Sequence, residues 1–140
     1  VYMSGVGGHI RHDLEHYSNF LAGLGAGRID YEARKRDLRV EQNRAFAIER
    51  IDETIEQLQQ IPADEGTRSL EVKMERGGQE AEWATSTVSR ELDFLLSHTV
   101  HHFGLVAMIL KVQGFLPKEH FGVAPSTVRY LEKTKPVVQA

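Results

Sequence analysis

The chain contains no cysteine, which removes disulfide scaffolds, thiol nucleophiles and Cys-ligated zinc sites in one step. It has no excess of one charge: 17 Lys and Arg stand against 20 Asp and Glu, for a net charge of −3. That balance argues against nucleic-acid and anionic-membrane partners. No stretch approaches the ~18 uninterrupted apolar residues of a membrane span. No basic segment precedes an apolar run at the start, so no signal peptide is visible and a cytoplasmic location is expected. Internal repeats and low-complexity tracts are absent as well. What remains is 140 residues, 41% hydrophobic and 26% charged, the profile of one globular domain spanning 1–140. One count stands out: of seven His, six fall in two short clusters.

Apolar residues at Ile10, Leu14, Tyr17 and Leu21 predict a first helix, capped by Ser4 and ended by Gly23, Gly25 and Gly27. Those glycines lack the Lys-Ser/Thr ending or the βαβ context of a phosphate loop. From Tyr31 to Gln60 the composition predicts a charged helix with Ile48, Ile51, Ile55 and Leu58 as its buried stripe, closed by Ile61-Pro62. Residues 28–53 hold seven basic and seven acidic side chains, so Arg34, Lys35 and Arg36, answered by Asp30, Glu32 and Asp37, read as a solvated face. Leu70, Val72 and Met74 alternate with charged residues before Arg76-Gly77-Gly78, which predicts a small β-hairpin over 69–85 decorating a helical body. Trp83 would anchor that hairpin or wall a pocket. Thr85 or Ser86 should cap the longest helix, which ends near Gln113 with Gly114 beyond it. Its apolar residues cover well over half its circumference, as expected of the central helix of a bundle. Pro125 opens a last short helix.

Within the long helix, Ser97-His98-Thr99-Val100-His101-His102 places His98 and His102 about 40° apart on adjacent turns. Two imidazoles so placed can share one metal ion, which also meets their hydrogen-bonding needs in a buried setting. The competing reading is a pair of core histidines bonded to backbone or water, with His101 on the surface. His9, His12 and His16 lie within an arc of about 60° on the first helix and supply a third imidazole. A three-His site with open positions suits Zn²⁺, Ni²⁺ or Fe²⁺. Asp13, Glu15, Glu91 and Asp93 are candidate general bases, with Glu91 best placed; a structural carboxylate is the competing role. Ser97 cannot pair with His98 as a nucleophile, because adjacent side chains diverge on a helix.

The segments Val6–Tyr17 (VGGHIRHDLEHY) and Ser89–Phe103 (SRELDFLLSHTVHHF) resemble the DinB/YfiT-like superfamily, and Phe121–Leu131 (FGVAPSTVRYL) looks like the tail of one branch of it. The resemblance implies an all-α, up-down-down-up four-helix bundle that binds a divalent metal, commonly nickel or zinc, through three His. His98 and His102 match the family's HxxxH element and His12 its earlier His. The helical wheel favours His9 and His16, which lie nearer the apolar sector, so His16 ranks second to His12. The chain departs from the family after HxxHH, where Phe103-Gly104-Leu105 replaces a common Arg-Gly-Gln. It also begins where an earlier family helix would end, so that helix is expected either upstream or from a partner.

Two functions follow as expectations. The first is a metal-dependent enzyme, of hydrolase or low-molecular-weight thiol transferase type, in which the ion polarises a small-molecule substrate or activates water. The second is a metal-binding or stress-associated interaction protein without turnover. The resemblance also implies a homodimer.

Overall fold

A computed structural model describes residues 5–33, 35–75 and 82–134 of the chain. Helix α1 (Val6–Leu24) follows an extended Gly5 that offers no capping side chain; Ser4 lies outside the described residues. The helix runs one turn beyond Leu21, through Gly23 rather than ending there. A Cβ at Gly23 would lie 2.2 Å from the Arg28 carbonyl oxygen, so glycine lets the returning chain lie directly on the helix.

That returning chain is strand β1 (Arg28–Asp30), and the single charged helix expected from Tyr31 is instead two. Helix α2 (Arg39–Gln42) stops at Asn43, whose side chain accepts the Phe46 amide at 3.1 Å and starts helix α3 (Arg44–Gln59). Ile48 and Ile55 are 48% and 47% exposed, whereas Ile51 and Leu58 are half-buried, Leu58 against the core, so the expected stripe is only partly covered. The buried residue of α3 is Thr54, whose hydroxyl donates to the Arg50 carbonyl. Ile51, Ile55 and Leu58 border an apolar cavity of about 200 Å³ walled also by Ile10, Leu14 and Tyr17 of α1. The charge pairing differs too. Asp30 faces Lys73, Asp37 pairs with Arg39, and Glu32 accepts the Glu75 amide; Arg34 lies outside the described residues.

After a 3-10 turn at Ala63–Thr67, strand β2 (Ser69–Lys73) pairs antiparallel with β3 (Trp83–Thr87), with Leu70 opposite Ser86. This is the expected hairpin, although its turn residues Arg76-Gly77-Gly78 lie outside the described residues. Strand β1 adds a parallel edge, Ile29 opposite Val72, giving the order β1-β2-β3. The sheet is more than decoration. Ile29, Tyr31 and Leu70 join Phe20, Val88 and Leu95 in the fully buried core, because the sheet's inner face is the lid over α1 and α4. Trp83 is 40% exposed, with the Arg28 guanidinium 4.1 Å over its ring.

Helix α4 (Val88–Val112) is capped by Thr87, the last residue of β3, which accepts the Arg90 amide; Thr85 and Ser86 lie further back in the strand. It packs on α1, β3 and the 3-10 turn. Its apolar circumference is covered on one side only: Leu96, Met108 and Val112 are 50%, 65% and 88% exposed. By length and mean hydropathy, 1.3 over 18 residues, α4 would suffice to cross a membrane, a test that core helices also pass. Helix α5 (Pro125–Thr134) closes the described chain. The loop before it docks on α4 through Phe121, stacked on Phe103 at 4.9 Å, and through Gly122. Gly122 has φ +74 and would place a Cβ 2.6 Å from the Phe103 and Gly104 backbone. The whole is a mostly helical protein carrying a small mixed sheet.

Candidate metal centre

The seam between α1 and α4 is lined by imidazoles. His98 and His102, one turn apart on α4, have ring centroids 4.5 Å apart. His12 lies 5.0 Å from the first and 4.7 Å from the second, so the three candidates read from the sequence are ring neighbours, although they are not one of the sets whose ligand atoms all converge. The two alternatives on α1 arrive there as well. His16 is 4.3 Å from His98, and His9 Nδ1 is 2.8 Å from His102 Nδ1. His16 donates from Nδ1 to the His12 carbonyl at 2.9 Å. His101 points outward, exposed, and touches only the edge of His102.

Two triads bring their ligand atoms within 4.8 Å of one another: His12, His16 and His98, and Asp13, His98 and His102. His98 belongs to both. Burial, reinforced by the neighbouring imidazoles, pushes the His98 pKa down to about 3. Burial and the nearby His9 push that of His102 down to about 4. Both rings are therefore neutral at physiological pH, the state that ligates a cation. Burial alone pushes the Asp13 carboxyl up to about 7.

The donor set fits a divalent transition metal on one direct observation. Both Asp13 oxygens and His98 Nε2 are buried and have no hydrogen-bond partner among the described residues. Orphaned polar atoms of this kind are rare in folded proteins and are costly unless something neutralises them. Imidazole and carboxylate ligands suit Zn²⁺, Ni²⁺ and Fe²⁺.

The other carboxylates are engaged elsewhere. Glu91, the favoured general base from sequence, is buried and accepts from Tyr31 at 2.9 Å and from Ser86 at 2.5 Å, a structural role. Glu15 is paired with Arg11, which also holds Glu41. Asp93 and Ser97 lie on the exposed side of α4. Sequence reasoning did not foresee the aromatic wall of the seam. Tyr31 stacks on His16 at 5.7 Å, and Phe94 lies 5.7 Å from His98. On the other flank Tyr17 and Thr99 are hydrogen-bonded at 3.0 Å, tying the helices together.

No protein-family profile matches the chain, and no solved structure matches it. It is similar to FK506-binding protein 5 of Rhizopus delemar, with 30% identity over 108 residues. The match takes 75% of this chain but spans only 28% of that protein's length.

Proposed function

We propose that this chain is a DinB/YfiT-like metal protein that holds one divalent ion between α1 and α4, and that it is an enzyme of hydrolase or thiol transferase type. The assigned ligands are His98 and His102 of α4 with His12 of α1; Ni²⁺ or Zn²⁺ is favoured and Fe²⁺ fits the same donors. The observation that carries the reading is the convergence of five imidazoles on one seam, with the buried His98 Nε2 lacking a hydrogen bond among the described residues. A bound ion would supply Lewis acidity towards a carbonyl or thiol. The chain's own residues position and shield: Tyr31 and Phe94 wall the imidazoles, and the Tyr17–Thr99 bond fixes the helix spacing. The half-exposed Ile48, Ile55 and Leu96, of which Ile55 lines the cavity between α1, α3 and α4, suit a four-helix bundle whose last face is closed by a further helix. Untagged protein assayed against ester substrates and thiol–electrophile pairs, with and without chelator, tests the reading. Turnover that is lost with chelator and restored by metal supports it. Metal binding without turnover selects the non-catalytic role, and absence of metal binding overturns the proposal.

A further inference from the structure

We infer that Asp13 is itself a ligand of this ion, so that the site is anchored by a carboxylate together with His98 and His102. The inference rests on the metal site proposed above and changes its chemistry from all-imidazole to mixed imidazole–carboxylate.

The geometry is specific. Asp13 is 4% exposed, yet among the described residues neither of its oxygens has a hydrogen-bond partner. His98 Nε2, likewise without a hydrogen-bond partner among the described residues, lies 3.9 Å from Asp13 Oδ1. That gap is too long for a hydrogen bond. It matches the separation of two atoms that ligate one ion, since bonds of about 2.0–2.2 Å place two ligands roughly 3–4.4 Å apart. His102 completes the triad within 4.8 Å. The neighbouring arginine offers no relief, because Arg11 is taken up by Glu15 and Glu41. An ion at this point would satisfy the unpartnered atoms of Asp13 and His98 at once and place a negative charge against the cation. A two-His, one-carboxylate set also has open positions and suits Zn²⁺ and Fe²⁺. Asp13 sits at i+4 from His9 and i−3 from His16, so all three emerge on adjoining strips of the same face.

The test uses Co²⁺ as a spectroscopic probe, with Zn²⁺ competition for affinity, on the full chain without a tag. The variants are Asp13→Asn and Asp13→Glu, each checked for wild-type circular dichroism in chelator. If Asp13 ligates, Asp13→Asn weakens Co²⁺ binding beyond the roughly 10–100-fold expected for losing a group that only hydrogen-bonds a ligand. Its visible Co²⁺ bands also shift, and Asp13→Glu recovers part of the affinity. Wild-type affinity and bands in Asp13→Asn would overturn the ligand assignment while leaving the metal site standing. Weaker binding with unchanged bands would also overturn it, because the charge would then act from outside the coordination sphere. A wild type that binds no Co²⁺ or Zn²⁺ would overturn the metal site itself.

Discussion

Replacing Asp13 by Asn in metal-free protein probes the energetics of the α1–α4 seam directly. Burial raises the Asp13 carboxyl from 3.8 to about 7. At about 1.4 kcal/mol per pH unit, that rise makes the ionised side chain cost the folded state roughly 4 kcal/mol above pH 7. Asn leaves a buried amide with unmet hydrogen bonds, a penalty of about 1–3 kcal/mol. Metal-free Asp13→Asn is therefore expected to be more stable than wild type at about pH 8, by roughly 1–3 kcal/mol. Acid removes the advantage. The folded pKa of Asp13 is raised, so its cost is full above about pH 7 and disappears as pH falls towards 3.8. His98 and His102 are lowered to about 3 and about 4, so their contribution is full above 6.5 and is lost as pH falls below it. Between about pH 6 and pH 4.5 the two histidines together withdraw roughly 2.8 kcal/mol per pH unit, and Asp13 returns roughly 1.4 in the wild type alone. The variant should thus lose stability about twice as steeply, and the two proteins should converge near pH 5. Urea unfolding followed by far-UV circular dichroism, in chelator at several pH values, measures this. A variant less stable than wild type at pH 8, or a gap that does not change with pH, would refute the reasoning.

Three further outcomes follow from the same geometry. Tyr31→Phe removes a hydrogen bond from buried Glu91 and should cost about 1–3 kcal/mol in chemical denaturation while leaving metal content unchanged. Gly122→Ala must fit a Cβ at φ +74 against the Phe103 and Gly104 backbone, and should lower the unfolding free energy in denaturant titration by at least the roughly 1–3 kcal/mol of such strain. His101→Ala alters an exposed ring and should change neither stability nor metal affinity by isothermal titration.

Helices α1, α4 and α5 and the hairpin were legible because each carries its own periodicity or punctuation. Strand β1 was not. Three residues between a glycine turn and a charge run show no alternation, and the strand exists through its pairing with a segment more than forty residues later. The break at Asn43 did have a local signal, a capping side chain three residues before Phe46, hidden inside an otherwise helix-rich composition. The histidine clusters could be read from spacing alone, and the structure brings His12, His98 and His102 together with His9 and His16. Spacing could not separate the roles of Asp13 and Glu15. Which carboxylate turns into the seam depends on how α1 crosses α4, and the outcome is that Glu15 meets Arg11 while Asp13 faces His98. The role of Glu91 depended likewise on a partner, Tyr31, far away in sequence.

The central claim is that the α1–α4 seam holds a metal through His98. Elemental analysis of untagged wild type, His98→Ala and His101→Ala, each equilibrated with equal Ni²⁺ and Zn²⁺ near pH 7.5 and desalted, tests it most directly. The account predicts about one ion per chain in the wild type and in His101→Ala, and essentially none in His98→Ala. A wild type without metal, or a His98→Ala variant that retains as much as His101→Ala, would contradict it.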